Sequence, residues 1–268
     1  MNEQYAIEKL TGLIYDYCGL NFSNNPETVQ LKLNKRLKQL QMHTYSEYFN
    51  FLVNNLQEWA EVVECLTINE TYFYREEKQL HVFRDVIFRE FISRGEKPVK
   101  IWSAACSTGE EPYSIIMNTL DMNKDCLQQI EITATDITNS VLQTASKGTY
   151  FNKSLTFRRI PEHWINDYFE CDGKYYSVSP NIKERVNFKY LNLLNFNDYP
   201  EEQSYDVIFC RNVLIYFDEE TIERVVRAFY KALKKGGYLF LGHAEMISRL
   251  NIGFETVNHN GTFYYRKD

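Results

Sequence analysis

The chain has 268 residues, of which 44% are hydrophobic and 25% charged, and its formal net charge is −6. This length and composition predict a globular protein with one large and one smaller domain, without a signal peptide or an apolar run near the ~20 residues that cross a bilayer. The acidic balance argues against nucleic-acid binding, and six scattered cysteines without a C-x-x-C pair argue against disulfides and a zinc site, so we expect a cytoplasmic protein without a metal.

Residues 1–66 show helical periodicity without a strand pattern, and we predict a small all-α domain there. One helix is predicted over residues 28–42, with an apolar stripe on one face. Beside and opposite this stripe lie four basic residues, Lys32, Lys35, Arg36 and Lys38, and no acidic residue occurs between positions 28 and 46. Such a run is commonly a solvated helix face, but it also suits docking of an acidic partner, and both interpretations stay open.

Residues 66–75 are both aromatic and polar, which is typical of a segment that packs across a cleft between two domains. We therefore begin the second domain at residue 67 and extend it to residue 268. A helix predicted over residues 78–93 precedes its first strand, and Gly95 and Pro98 separate the two elements.

The stretch 99–113 combines a short apolar strand, a turn of small residues and the start of a helix. This arrangement suits a nucleotide-type ligand at the carboxyl edge of a parallel sheet. The dinucleotide pattern G-x-G-x-x-G is absent, because Gly109 is the only glycine, and no P-loop lysine follows. Glu110 and Glu111 would repel a phosphate and tolerate a cationic ligand. The alternative is an ordinary helix with favourable acidic residues at its N-terminus.

A second strand is predicted over residues 130–135, and Asp136 lies at its end. An acidic residue at this point of a nucleotide-binding α/β unit is placed to accept hydrogen bonds from ribose hydroxyls. Asp136 is also a candidate N-cap for a helix over residues 138–146. The small-residue turn at 102–109 favours the ribose role.

Residues 150–184 interrupt the alternation of strands and helices, and we interpret them as an insertion with a short helix and a hairpin turn at 171–174. The remaining predicted elements are strands at 186–191, 205–210 and 238–242, a helix at 218–234 closed by Gly236 and Gly237, and a terminal hairpin about Asn260 and Gly261. Together they predict an α/β fold with a doubly wound, mostly parallel sheet and one reversed strand.

Five motifs in this order resemble one family: Asn69-Glu-Thr-x-Phe-x-Arg75, Trp102-Ser-Ala-Ala-x-Ser-Thr-Gly-Glu-Glu-Pro-Tyr-Ser114, Thr135-Asp-Ile137, Phe209-Cys-Arg-Asn-Val-Leu-Ile-Tyr-Phe217 and Gly242-His243. The family is the chemotaxis receptor glutamate O-methyltransferases of the CheR type, and the resemblance covers nearly the whole chain. It implies a class I S-adenosylmethionine-dependent methyltransferase with a Rossmann-like, seven-stranded sheet, one antiparallel strand, a small all-α N-terminal domain and a small β insertion. S-Adenosylmethionine is a sulfonium without a phosphate, which agrees with a turn that lacks three glycines.

The resemblance also implies roles for individual residues. The cofactor-binding residues that it implies are Asn69, Thr71, Arg75, Glu111, Asp136, Asn192, Leu193, Arg211 and Asn212. Arg75 and Tyr216 match the residues near the transferred methyl group and are the implied catalytic residues. Because the chain has 20 tyrosines, a plain packing role for Tyr216 stays open.

The implied reaction methylates glutamate carboxylates in acidic, helical cytoplasmic regions of chemotaxis receptors and yields glutamate 5-O-methyl esters and S-adenosylhomocysteine. A glutamate carboxylate is anionic at neutral pH, so no general base is required, and we expect structural roles for His243 and Glu245. The basic helix is the expected docking surface of a monomeric enzyme recruited to membrane receptor arrays. The hairpin at 171–174 is short, so binding of a receptor tail by the insertion stays an open question. Two alternatives keep the same fold: a methyltransferase for a small molecule or RNA, and a non-enzymatic cofactor-binding sensor.

Overall fold

The computed structural model describes residues 2–23, 25–95 and 98–268. Its N-terminal part is built from helices α1 (Glu3–Cys18), α2 (Pro26–Gln39), α3 (Tyr45–Asn54) and α4 (Glu58–Leu66). Local sequence sets their ends: α1 stops at Gly19, whose φ of +75° favours glycine, and α3 opens with a capping box formed by Thr44 and Glu47. The buried sides of the four helices form a separate apolar core, so the prediction of a small all-α N-terminal domain is confirmed.

Seven strands form the main sheet in the order β6-β2-β1-β7-β8-β10-β9. They are β1 (Val99–Ala104), β2 (Ile130–Asp136), β6 (Val186–Tyr190), β7 (Tyr205–Cys210), β8 (Leu233–Leu241), β9 (Phe254–His259) and β10 (Thr262–Lys267). The first five strands of that order pair in parallel, and β10 pairs antiparallel with both of its neighbours. The predicted sheet with one reversed strand is therefore confirmed.

Helices cover both faces of this sheet, because central strands such as β7 are apolar on both sides and bury almost every residue. The helices are α5 (Glu77–Val82), a π-helical turn (Phe83–Phe88) and α6 (Arg89–Ser93) in one continuous run, then α7 (Glu110–Leu120), α8 (Asn139–Lys147) and α11 (Glu219–Ala232). Short 3₁₀ turns occupy Lys124–Gln129, Leu155–Phe157, Phe196–Asp198 and Leu214–Tyr216.

One predicted boundary is wrong, because residues 233–237 belong to β8 and not to the end of the preceding helix. Helix α11 ends at Ala232 because Leu233 turns to an extended conformation and is fully buried. The register between β7 and β8 is irregular just there, between Tyr205 and Val207. Gly236, with a φ of +75°, absorbs this irregularity, so the glycine marks a strand distortion and not a helix cap.

The insertion is a three-stranded antiparallel sheet in the order β3-β5-β4. Its elements are β3 (Thr149–Phe151), α9 (Glu162–Tyr168), β4 (Phe169–Cys171), β5 (Tyr175–Val178) and α10 (Pro180–Lys183). The hairpin turn predicted at 171–174 is confirmed, and the Asp172 carboxylate shapes it by accepting hydrogen bonds from the Lys174 and Tyr175 N–H groups. Among the helices in the described ranges, none has the length and apolar character needed to span a membrane.

Candidate active site

A cavity of about 1220 Å³, its open mouth included, lies where strands β6, β2, β1 and β7 end, at the carboxyl edge of the sheet. Its lining includes all ten residues implied by the motifs: Asn69, Thr71, Arg75, Glu111, Asp136, Asn192, Leu193, Arg211, Asn212 and Tyr216. The fold thus brings residues as far apart in the sequence as Asn69 and Tyr216, which are separated by 147 positions, into the lining of one cavity.

The turn after β1 forms the floor of this cavity. Ala105 and Ser107 have positive φ angles of 60° and 49°, and Gly109 follows with a φ of 93°. A Cβ atom at Gly109 would lie 2.9 Å from the Cβ of Ala145, so both the backbone angle and the close approach of helix α8 require glycine there.

Asp136 joins this turn to the end of β2. Its Oδ2 accepts a hydrogen bond from the Ser107 N–H and its Oδ1 accepts one from the Thr138 N–H, both at 2.9 Å. The residue is buried, and burial raises the pKa of its carboxyl group. Thr138 and not Asp136 is the N-cap residue of α8, so the alternative interpretation of Asp136 as the N-cap is wrong.

Glu111 and Arg211 form a buried ion pair at the back of the cavity. Glu111 Oε2 lies 2.6 Å from Arg211 Nε, and its Oε1 accepts from the Ser103 hydroxyl at 2.7 Å. Arg211 also lies 3.9 Å from the Glu76 carboxylate and donates to the Arg75 carbonyl. The cation that Glu111 contacts is therefore the protein's own arginine.

Glu110 does not line the cavity, which corrects the expectation that it would face a cationic ligand. Its carboxylate is buried and accepts hydrogen bonds from the hydroxyls of Thr108 and Thr156. Burial raises the pKa of Glu110. Since Thr156 belongs to the insertion, Glu110 ties the insertion to the first turn of α7.

The linker before α5 supplies Arg75. Arg75 donates to the Glu70 carbonyl at 2.8 Å, and its guanidinium lies 5.6 Å from the centre of the Tyr72 ring. Arg158, which belongs to the insertion, also stacks on Tyr72: its guanidinium lies 3.7 Å from the centre of the ring. The same guanidinium forms an ion pair with the Glu70 carboxylate at 2.7 Å. Arg75 is thus held at a junction between the linker and the insertion.

The N-terminal helices form the opposite wall, which motif reasoning missed. The lining residues from this part are Cys18, Leu20, Phe22, Thr28, Lys32, Val63 and Leu66. Two hydrogen bonds join this wall to predicted site residues: the Asn192 side-chain amide Nδ2 donates to the Tyr17 carbonyl at 2.6 Å, and the Asn21 backbone N–H donates to the Tyr216 carbonyl at 3.2 Å. Apolar helix positions such as Leu66 look like ordinary core in the sequence, so no pattern there indicates a cavity wall.

Two of the four basic residues that were predicted for docking on α2 have partners within their own domain. Arg36 makes a double hydrogen bond to the buried Glu58 carboxylate, at 2.8 and 2.7 Å, because α4 packs beside α2. Lys32 donates to the Leu66 carbonyl at 2.7 Å, and burial lowers its pKa. Lys35 and Lys38 are exposed. The outward basic surface therefore consists of Lys35 and Lys38.

The strand order, the single reversed strand and a ligand-sized cavity at the carboxyl edge define a class I methyltransferase of Rossmann-like fold. Residues 69–263 match the family model for the CheR methyltransferase, SAM binding domain, and residues 6–67 match the CheR methyltransferase, all-alpha domain. The chain belongs to the CheR methyltransferase family, and its cofactor is S-adenosylmethionine.

Individual relatives agree with this assignment over nearly their full length. Chemotaxis protein methyltransferase 2 of Vibrio cholerae is 35% identical over 260 residues, which cover 94% of this chain and 89% of the relative. The chemotaxis protein methyltransferase of Escherichia coli K12 is 34% identical over 279 positions, with coverage of 100% and 95%. Chemotaxis protein methyltransferase 1 of Pseudomonas aeruginosa is 34% identical, with coverage of 93% for both chains.

Proposed function

We propose that this protein is a protein-glutamate O-methyltransferase that methylates glutamate side chains on the cytoplasmic helices of chemotaxis receptors. The observation that carries the proposal is the shared cavity, where Arg75 and Tyr216 lie with the residues implied to bind the cofactor. The names of relatives such as the Escherichia coli protein support a role in chemotaxis.

The test of this function is incubation with labelled S-adenosylmethionine and membranes that contain chemotaxis receptors. We expect label on the receptor as a base-labile methyl ester. Label that resists base, or that appears on RNA or a small molecule instead, would contradict the proposal. Cofactor binding without any transfer would instead favour a sensor.

The side chains of the cavity fit S-adenosylmethionine. Asp136 offers a carboxylate for the ribose hydroxyls, and Ile137 and Leu193 offer apolar surface for the adenine ring. Within the described residues, Asn212 Oδ1 is buried and accepts no hydrogen bond, so a donor on a bound ligand would satisfy it. When bound, the cofactor supplies an electrophilic methyl group on a sulfonium.

The protein's own contribution to the transfer is orientation and exclusion of water. The accepting carboxylate is anionic at neutral pH, so no residue has to remove a proton. In this proposal the Arg75 guanidinium orients that carboxylate by hydrogen bonding, and the Tyr216 hydroxyl donates a second hydrogen bond to it. Alignment of reacting groups in a closed site is worth ~7–11 kcal/mol. Arg75 and Tyr216 are therefore the proposed catalytic residues.

Replacement of Arg75 with alanine should lower turnover much more than cofactor affinity. Without the guanidinium the carboxylate loses its alignment, whereas the cofactor keeps Asp136, Asn212 and the rest of the lining. We expect a fall in kcat of about 100-fold and a loss of S-adenosylhomocysteine affinity below about fivefold. Arg75→Lys, which keeps the charge but not the planar fork, is the matched variant and should recover only part of the turnover. Equal losses in both quantities would assign Arg75 to the cofactor.

We propose that the receptor docks on the exposed basic surface of α2, which consists of Lys35 and Lys38. Lys35 and Lys38 are exposed, and rim charges of this kind act mainly on the association rate with an acidic partner. Lys32 and Arg36, which the sequence also implied for docking, contact Leu66 and Glu58 and contribute first to the fold of their own domain. Attraction to the acidic receptor helix would recruit this enzyme to receptor arrays at the membrane.

The double charge reversal Lys35→Glu/Lys38→Glu should slow receptor methylation about tenfold at low salt. The difference should shrink at physiological salt, where the Debye length is about 8 Å. The control is Lys231→Glu/Lys235→Glu, which changes the net charge equally at two exposed positions, one in α11 and one in β8. If both double variants slow methylation to the same degree, only the overall charge matters, and α2 is not the docking surface.

A further inference from the structure

Glu245 lies in the loop after β8, and its carboxylate binds backbone N–H groups from two different loops. Its Oε2 accepts hydrogen bonds from Gly242, at 2.6 Å, and from Asn212, at 2.9 Å. Its Oε1 accepts from Val213, at 2.7 Å, and from Ile215, at 3.3 Å. The residue is only 7% exposed. A backbone N–H is only a donor, so this site requires two oxygens that both accept.

The loop that Glu245 binds, residues 211–217, forms one side of the cavity. Five of its residues line that space: Arg211, Asn212, Val213, Tyr216 and Phe217. Asn212 adopts a left-handed conformation with a φ of 62°, which costs free energy and persists only where the surrounding contacts hold it. Three of the four N–H groups on Glu245 belong to this loop.

The junction between the two loops is closely packed. A Cβ atom at Gly242 would lie 2.8 Å from Asn212 Nδ2 and 2.9 Å from both the Asn212 nitrogen and Glu245 Oε2. Gly242 is therefore required for the carboxylate to reach the Asn212 backbone. This explains why the chain has a glycine there without any need for an unusual φ angle.

We propose that Glu245 is a positioning residue whose ionised carboxylate holds loop 211–217 in its binding conformation. In this conformation Asn212 is placed to accept a hydrogen bond from the cofactor, and Tyr216 is placed to orient the carboxylate that receives the methyl group. The part that concerns Tyr216 rests on the proposed function, whereas the part that concerns cofactor affinity does not. Glu245 thereby acts through the backbone of other residues and makes no contact with the reacting atoms.

The variant Glu245→Gln tests this proposal, because the amide keeps the shape of the side chain but replaces an acceptor with a donor. We expect a loss of S-adenosylhomocysteine affinity of about tenfold by calorimetry, together with lower methylation turnover at saturating cofactor. The matched control is Glu110→Gln. Glu110 is buried, as Glu245 is, but its partners are the hydroxyls of Thr108 and Thr156, which can reverse their donor direction. The control should keep its affinity within about twofold.

Gly242→Ala is the second variant and disturbs the same junction without a change of charge. It should give the same loss of cofactor affinity, and it decides the question if Glu245→Gln does not fold. A double-mutant cycle with Tyr216→Phe separates positioning from general destabilisation. If Glu245 orients Tyr216, the loss of turnover from Tyr216→Phe should shrink clearly in the Glu245→Gln background.

Two results would overturn the proposal. One is an unchanged S-adenosylhomocysteine affinity in folded Glu245→Gln and Gly242→Ala. The other is strict additivity of the two turnover losses in the cycle, which would mean that Glu245 supports the fold alone. If Tyr216→Phe by itself keeps full turnover, the catalytic role of Tyr216 fails, and the affinity measurements alone decide on Glu245.

Discussion

Replacement of Arg211 with alanine is expected to lower the free energy of unfolding by about 3–5 kcal/mol. The substitution removes the cation that pairs with the carboxylates of Glu111 and Glu76. Both of these carboxylates are largely buried. The loss is large because a buried charge without a partner keeps its full desolvation cost. Urea denaturation followed by circular dichroism measures it. Cofactor affinity should fall in the same variant, since Arg211 lines the cavity.

Arg227→Ala is the control for this prediction, because it removes an arginine from an ion pair on the surface. Arg227 and Glu223 are 52% and 44% exposed, and such pairs contribute less than about 1 kcal/mol. The double variant Glu111→Gln/Arg211→Met removes both charges and should regain part of the lost stability. If Arg211→Ala and Arg227→Ala lower the free energy of unfolding by similar amounts, the buried ion pair contributes no more to stability than the exposed one.

Asp136→Ala is expected to weaken S-adenosylhomocysteine binding by roughly 1–3 kcal/mol, or about 5- to 150-fold. The substitution removes the carboxylate proposed for the ribose hydroxyls and also leaves the Ser107 and Thr138 N–H groups without their acceptor. Asp136→Asn keeps one accepting oxygen and should lie between alanine and wild type. Isothermal titration calorimetry measures the affinity.

The matched control for Asp136 is Asp172→Ala in the insertion. Asp172 also accepts hydrogen bonds from two backbone N–H groups, but it is exposed and does not line the cavity. Its loss should leave cofactor affinity unchanged. If Asp136→Ala binds as tightly as wild type, its carboxylate only joins two loops and the ribose role is wrong.

Local patterns in the sequence predicted those features of the fold that depend on neighbouring residues. The strand Tyr205–Cys210 was predicted with its observed bounds, because a nearly continuous apolar run is typical of a central parallel strand that is covered on both faces. The position of Asp136 at the end of a strand predicted a site at the carboxyl edge of the sheet, and the family resemblance added Asn192 and Arg211 to it. Asp136, Asn192 and Arg211 do meet there.

Contacts between distant parts of the chain could not be predicted in this way. The partner of Arg36 is Glu58, which lies 22 residues away on a helix whose packing no local pattern reveals. Glu111 and Arg211 are 100 residues apart. The start of β8 was misplaced because two glycines after a helix resemble a helix end, and only pairing with β7 distinguishes a strand distortion from it.

Because the N-terminal helices supply one wall of the cavity, that cavity is a shared property of the helical part and the sheet. Backbone contacts at Tyr17 and Asn21 fix how those helices meet Asn192 and Tyr216. A chimera that takes the helices from one relative and the sheet from another inherits a composite pocket, with each half shaped for a different counterpart. A substitution that faces the cavity from one part of the chain therefore requires a matching change in the other part, whereas the exposed positions Lys35 and Lys38 of α2 lie outside the cavity and carry no such constraint.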